Sequence, residues 1–208
     1  MPSIARKTAT FATAALIACG AALPVFAQDA APSLSAGTPI EPASNIGRPY
    51  ALETQGDWEI RCVKAPEGSV DPCSMYQLLK DGDGNDVAEV TMFHVGADTV
   101  EAAATFTTPL ETLLTAQLAF FVDGENGRRY PYSFCTKVGC FVRAGMSGAE
   151  VEQLKKGVEG QVAIVPVGRP EEPVQLKLSL KGFTAAYAKV TELNIAAKDG
   201  KGPEAPAE

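Results

Sequence analysis

The sequence has little histidine and little positive charge. Its one histidine, His94, is the sole imidazole for a Ser-His or Cys-His dyad, and no nucleophile motif accompanies it. We interpret His94 as a structural or surface residue. Lys and Arg number 18 against 25 Asp and Glu, giving a net charge of −7 without any basic run. Such an acidic chain is a poor ligand for nucleic acid or anionic lipid, so we expect no nucleic-acid partner.

Cysteine is also sparse, and its spacing is informative. Of five cysteines, Cys19 lies in an apolar leader, which leaves four that allow three pairings. Short loops favour Cys62 with Cys73 and Cys135 with Cys140. The alternatives are a zinc site, whose usual ligand spacing these cysteines do not match, and a redox pair at Cys135 and Cys140, where four intervening residues replace the usual two. We expect two disulfides and no metal or cofactor.

The first 27 residues have the pattern of a signal peptide. Arg6 and Lys7 precede an apolar run, and Val25 and Ala27 place small residues at positions −3 and −1 of a cleavage site. The sequence therefore predicts export to the periplasm, the cell surface or the medium.

A lipoprotein is the alternative interpretation of the same leader. Residues 16–20 resemble a lipobox in which Cys19 would be acylated, giving an outer-membrane lipoprotein and the one predicted route to membrane contact. Against it, the chain stays apolar after Cys19 as far as Phe26. Pro24 interrupts a run already too short for a transmembrane anchor.

Composition divides the remaining chain into three parts. Residues 28–48 are rich in Ala, Pro, Ser and Gly, which is typical of a flexible spacer. Residues 194–208 have a similar composition and are predicted to be a disordered tail. The folded domain is therefore predicted to be residues 49–193.

Within this domain the patterns favour short strands. Trp58, Ile60 and Cys62 alternate with charged residues, as in a strand with one buried face. Turn motifs separate the other predicted strands, which are 73–80, 87–95, 102–107, 118–122, 129–135, 140–144, 161–167 and 174–180. Ser147 and Glu150 form a capping box before a helix that ends at Gly157, and a short helix is predicted over 183–190. We expect a mainly β fold, a β-sandwich or barrel-like domain with one or two short helices.

Two polar segments are candidate binding sites. The loop 81–86 has Asp or Asn at positions 1, 3 and 5 of a calcium loop but lacks the glutamate at position 12, so we interpret it as a hairpin turn. Arg128, Arg129 and Tyr130 form a basic and aromatic cluster, and Lys137 lies at a predicted loop tip. Arg and Tyr are enriched at binding hot spots, so these four residues are predicted partner contacts.

An ordered set of short motifs resembles the invasion-associated locus B family of exported bacterial envelope proteins. The motifs are Gly56-Asp57-Trp58 with Cys62, then 73–77 (CSMYQ), Phe134-Cys135 with Gly139-Cys140, and 180–183 (LKGF). The resemblance implies a predominantly β domain outside the cytoplasm. In pathogenic members it also implies a role in host-cell entry.

We therefore expect an exported protein that is not an enzyme and acts by binding an envelope component or a host surface. One alternative is a periplasmic assembly or stress factor that binds client proteins or envelope polymers. Another is an enzyme whose site forms only in the folded chain. The sequence predicts neither the partner nor the oligomeric state.

Overall fold

The structure, a computed structural model, describes Gly37 and residues 45–203. The chain falls into two units, Met1–Pro42 and Ala43–Glu208, and the fold below is that of the second. The predicted signal peptide with Cys19 lies outside the described residues. So do the spacer, apart from Gly37 and residues 45–48, and residues 204–208.

Eleven strands and two helices make up the described fold, with a 3-10 turn at Leu114–Ala116. In chain order they are β1 (Pro49–Gln55), β2 (Trp58–Val63), β3 (Cys73–Lys80), β4 (Asp86–His94), β5 (Ala102–Thr108), β6 (Leu118–Val122), β7 (Glu125–Tyr130), β8 (Tyr132–Thr136), β9 (Gly139–Met146), α1 (Gly148–Lys156), β10 (Glu159–Ile164), β11 (Val174–Ser179) and α2 (Phe183–Lys198). Within residues 45–203, no helix has both the length and the apolarity needed to cross a bilayer.

All eleven strands belong to one antiparallel sheet. Its order is β7-β6-β10-β11-β3-β4-β5-β9-β8, with β2 lying between β1 and β3 off this path. The two end strands, β7 and β8, are separated in the chain only by Pro131. The sheet therefore curls until its ends meet, which confirms the mainly β prediction and gives a nearly closed, barrel-like sheet.

Pro131 divides what the sequence pattern predicted as one strand over 129–135. Proline has no backbone N–H and fixes its own φ, so it interrupts strand pairing. Before it, β7 pairs with β6, and after it, β8 pairs with β9 at the other end of the sheet order. The single predicted strand was wrong because two strands with different partners occupy this segment.

Strand alternation builds the core. Trp58, Ile60 and Cys62 of β2 are fully buried, as predicted. Both helices pack against the inner face of the sheet, because their apolar residues belong to the same buried cluster as those of the strands. These residues are Val151, Leu154, Phe183, Ala186, Tyr187 and Val190. The strands therefore have an inner face in contact with the helices and an opposite face directed outward.

Helix α1 has the predicted ends. The Ser147 hydroxyl accepts a hydrogen bond from the Glu150 N–H, and the Glu150 carboxylate accepts one from the Ser147 N–H at 2.8 Å. Gly157 follows the last helical residue. Helix α2 is longer than the predicted 183–190 and runs to Lys198, so residues 194–198, which the sequence pattern assigned to a tail after residue 193, are helical.

Strand β1 was not predicted, because its residues lack a buried face and so show no periodic pattern. It pairs with β2 from Pro49 to Gln55. Ahead of it, the Gly47 N–H donates to the Lys64 carbonyl at 2.7 Å. The last residues of the predicted spacer are therefore attached to the domain.

Both predicted disulfides are confirmed. Cys62–Cys73 joins β2 to β3, and Cys135–Cys140 joins β8 to β9. In each pair the two residues lie directly opposite in the strand register, with Cα atoms 4.0 Å apart. The disulfides therefore fix the registers of two hairpins.

A buried carboxylate supports the first disulfide loop. Asp71 is 6% exposed and accepts hydrogen bonds from the Tyr50 hydroxyl and the Ala65 N–H, both at 2.8 Å. Lys64 lies 3.4 Å away. Burial opposes ionisation of Asp71, but these hydrogen bonds and Lys64 outweigh it and hold its pKa below the usual value. Burial and Asp71 in turn raise the pKa of Tyr50 to about 12.

The stability of the domain is therefore expected to depend on Asp71 and to fall at acidic pH. Because the folded-state pKa is depressed, its contribution is complete above the unfolded pKa of about 4 and is lost as the pH falls through the folded value. Asp71→Asn should lower the urea midpoint at pH 7 and reduce the difference between the midpoints at pH 7 and pH 3. An unchanged pH difference in the variant would contradict this role.

Candidate functional site: the outer face of the sheet

Two of the sequence motifs meet in a turn junction. Gly56, between β1 and β2, has φ of 61°, and Gly182, between β11 and α2, has φ of 84°. A Cβ at Gly56 would lie 2.4 Å from the Lys181 carbonyl oxygen, and one at Gly182 would lie 2.1 Å from that of Gln55. The Asp57 N–H donates to the Lys181 carbonyl at 3.0 Å. Only glycine fits both turns, so these residues serve the fold.

Buried polar contacts extend this junction inward. The Trp58 indole N–H donates to the Ser179 carbonyl at 2.9 Å. The side chain of Gln77, 7% exposed, donates to the same carbonyl at 3.0 Å and accepts from the Ser179 N–H at 2.7 Å. Trp58 packs edge-on against Phe183 at 5.5 Å. Residues of β2, β3, β11 and α2 are thus held together, which gives these motifs a structural role.

The four predicted partner contacts do not form one patch. Arg128 pairs with Glu150 of α1, whereas the Arg129 guanidinium donates to the Ala116 carbonyl at 2.9 Å. Tyr130 is half-buried, and burial followed by the Glu150 charge raises its pKa. Lys137 is exposed at the β8–β9 turn. Their use by a partner stays a prediction.

The loop 81–86 forms the turn between β3 and β4, as predicted. The Asp81 carboxylate accepts hydrogen bonds from the N–H groups of Asp83 and Asn85 at 3.0 and 2.9 Å. The hydrogen bond from the Asn85 side chain, followed by these backbone bonds, lowers the pKa of Asp81. In the part of the chain that the structure describes, no group of three or more His, Cys, Asp or Glu side chains is placed to hold a metal ion.

His94 links β4 to α2. Its Nδ1 lies 3.2 Å from the Tyr187 hydroxyl and 3.5 Å from a Glu101 carboxylate oxygen, and its side chain is 12% exposed. Beside it, an open cavity of about 420 Å³ is lined by residues that include Glu101, Lys155 and Tyr187. Several titratable groups therefore meet at this cavity.

The outer face, defined as the outward side chains of β3, β4, β5, β9 and β8, is rich in aromatic and threonine side chains. Leu78, Phe93 and Phe134 are 40%, 38% and 43% exposed. The strand registers align its residues in two rows: Leu78, Glu89, Thr107, Phe141 and Phe134 in one, and Tyr76, Thr91, Thr105 and Arg143 in the other. The outer face thus presents a continuous five-strand surface.

An aromatic and cationic cluster lies at the β8 end of the outer face. Phe134 stacks on Phe141 with ring centroids 4.9 Å apart, and the Arg143 guanidinium lies 5.3 Å from the Phe134 ring. A register shift between Tyr132 and Phe134 puts Tyr132 against the core and Phe134 outside. The sequence interpretation missed this cluster, although Phe141 and Arg143 alternate with buried Cys140 and Val142.

A second contact group and a depression complete the outer face. The Arg61 guanidinium lies 3.3 Å from the Tyr76 ring centroid, and the Tyr76 hydroxyl donates to Glu89 at 3.0 Å. Burial and Glu89 raise the pKa of Tyr76. A depression of about 360 Å³ borders Leu78 and Val138, and Val138 is 71% exposed.

This architecture defines a small β-barrel-like domain held by two disulfides and a glycine turn junction. The chain belongs to the Invasion associated locus B (IalB) family, whose model matches residues 58–191. The family resemblance of the sequence is thereby confirmed.

Individual relatives agree with this assignment. Invasion protein B homologs of Brucella abortus strains 2308 and 9-941 are each 27% identical over 142 residues, which is 68% of this chain and 79% of each relative. The crystal structure of invasion associated protein B from Bartonella henselae superimposes with a TM-score of 0.57 at 25% identity. The matched region covers 71% of this chain and 96% of the Bartonella chain.

Proposed function

We propose that this protein acts outside the cytoplasm as a binding protein and contacts its partner through the outer face. The supporting observation is the exposure of Leu78, Phe93 and Phe134 on a sheet face opposite the helices. Phe134 stacks on Phe141 in this face, and adjoining exposed apolar side chains with polar borders are typical of interaction sites. Aromatic residues and arginine, as in the Phe134 and Arg143 cluster, are common at the energetic centres of interfaces.

Three hydroxyl groups beside the α2 cavity are not activated as a base or a nucleophile. Burial and Glu101 raise the pKa of Tyr187, so its hydroxyl keeps its proton at neutral pH and cannot act as a base. The hydroxyls of Thr184 and Thr191 donate to the carbonyls of Lys155 and Tyr187. Both threonine hydroxyls are thus bonded to helix carbonyls, and neither donates to a base that would activate it as a nucleophile.

Two further observations support an extracytoplasmic role at a host or envelope surface. Disulfides persist in oxidising compartments, and this domain has two. The relatives in Brucella and Bartonella are named for invasion. A role in host contact is accordingly the form of binding that we propose for this chain.

Export is tested by the intact mass of the protein purified from its source cells. We expect a chain that begins at Gln28 and lacks four hydrogens, as two disulfides require. A mass that corresponds to a lipidated chain beginning at Cys19 would show instead that the protein is anchored to a membrane. Protease treatment of intact cells then separates the two roles, because cleavage supports host-surface contact and full protection supports a periplasmic assembly factor.

The outer face is tested with two single variants, Phe134→Ser and Arg143→Glu. Fluorescently labelled full chain would be titrated onto cultured mammalian cells and onto envelope membranes of the source bacterium. Each variant should weaken binding about tenfold or more, the effect of losing a hot-spot side chain worth about 1.4 kcal/mol or more.

Matched controls lie away from the outer face. Val158→Ser and Arg169→Glu change an apolar and a cationic side chain that are 81% and 65% exposed. They should bind like the parent chain. Equal binding by Phe134→Ser, Arg143→Glu and both controls would rule out the outer face as the contact surface.

A further inference from the structure

The edge of β8 that faces away from β9 is open. Strand β8 pairs with β9, and no other strand among residues 45–203 pairs with it. Cys135 lies directly opposite Cys140 with Cα atoms 4.0 Å apart, the close spacing of a non-hydrogen-bonded pair. In such a pair the backbone N–H and C=O point away from the partner strand. Cys135 therefore presents a donor and an acceptor to the open edge.

This edge carries fewer of the features that usually prevent strand pairing than the other two edges do. Exposed edges are commonly protected by charged residues, proline or bulges. At the other edges, β7 carries Glu125, Arg128 and Arg129, and β1 begins with Pro49 and has a register shift. Residues 132–136 contain neither charge nor proline, and 133–136 are exposed. The register shift at Ser133 is the one irregularity in β8, and it precedes Cys135.

The segment that contains β8 is positively charged, although the whole chain has a net negative charge. Residues 128–146 contain four Lys or Arg and no Asp or Glu, in a chain with a net charge of −7. Among the described ion pairs, Arg128 binds Glu150, whereas Arg129, Lys137 and Arg143 take part in none. Lys137 in the β8–β9 turn and Arg143 beside Phe134 thus place two cations without an anionic partner near the open edge, which complements an acidic ligand.

We propose that the β8 edge binds an extended acidic segment of a partner polypeptide as an additional strand. This rests on the proposed binding function and names the chemistry of the partner. Backbone hydrogen bonds to Cys135 would supply affinity, as in other strand-addition complexes. Acidic side chains of the segment would meet Arg143 and Lys137, with the Phe134 and Phe141 rings beside them. A second copy of this chain fits less well, because symmetric pairing at β8 brings two equally basic edges together.

The test uses the oxidised full chain and a fluorescein-labelled ten-residue peptide of alternating Glu and Thr, measured by fluorescence anisotropy. Two control peptides carry Lys in place of Glu, or N-methyl groups on all central amides. We expect the Glu peptide to bind at least tenfold more tightly than either control. Arg143→Glu should weaken its binding at least tenfold, with both disulfides still formed.

Several results would overturn the proposal. Equal binding of the N-methylated peptide would mean charge attraction without strand addition. Sedimentation as a dimer in which the Cys135 amide is protected from hydrogen exchange would assign the edge to a second copy of the chain. Failure of the Glu peptide, while cell or envelope binding remains sensitive to Phe134→Ser, would refute strand addition but leave the outer face as the contact surface. If the Glu peptide fails to bind and Phe134→Ser also leaves cell and envelope binding unchanged, both strand addition and the outer face as contact surface are refuted.

Discussion

Gly182→Ala is expected to destabilise the domain by at least about 3 kcal/mol. A left-handed backbone costs a non-glycine residue about 1–3 kcal/mol, and overpacking adds a similar amount. Here the added methyl carbon would lie 2.1 Å from the Gln55 carbonyl oxygen and 2.8 Å from the Cα of Gly56. Both neighbours are backbone atoms, so relief requires the β1–β2 turn to move away from α2.

Gly168→Ala is the matched control, because the methyl carbon that it adds would have no neighbouring atom within 4 Å and the φ of Gly168 is not positive. Urea unfolding, followed by tryptophan fluorescence, gives both free energies of unfolding. The control should unfold within about 0.5 kcal/mol of the parent chain, as surface changes usually do. A Gly182→Ala variant as stable as the control would show that the junction does not hold the fold.

Trp58→Ala should cost about 3–5 kcal/mol, the usual range for removing a buried tryptophan. Trp58 is 0% exposed, packs on Phe183 and donates to the Ser179 carbonyl. Trp58→Phe keeps an aromatic ring and loses that hydrogen bond. Because Gln77 still donates to the same carbonyl, this milder variant should cost only about 1–2 kcal/mol.

Far-UV circular dichroism in urea measures both variants, since neither retains the tryptophan. Phe134→Ala serves as the control, because Phe134 lies on the outer face and is 43% exposed. It should cost much less than Trp58→Ala. Equal losses from the two substitutions would contradict the division between a buried junction and an exposed binding face.

Local signals predicted most of the fold. The alternation in β2, the turn residues of the β3–β4 hairpin and the Ser147 capping box depend on neighbours in sequence, and the structure has all three. Strand β1 gave no signal because none of its residues is fully buried and a register shift between Ala51 and Glu53 interrupts its alternation. Residues 194–198 lie in α2 although their composition resembled a tail.

The binding surface was harder to predict because strand geometry decides it. Strand alternation separates Arg128, which pairs with Glu150, from Arg129, so adjacent cations do not form one patch. The outer cluster depends on the register shift that turns Phe134 away from Tyr132. It also depends on pairing between β8 and β9, which places Phe134 beside Phe141.

The most direct test of the binding face is hydroxyl-radical footprinting of the full chain, free and bound to the cells or envelope membranes that retain it. Contact through the outer face should reduce labelling of Phe93, Phe134 and Phe141 in the bound state, while labelling of Ile195, which is 49% exposed at the α2 cavity, stays unchanged. Protection of Ile195 with no change at Phe134 and Phe141 would contradict the assignment and move the binding site to the cavity.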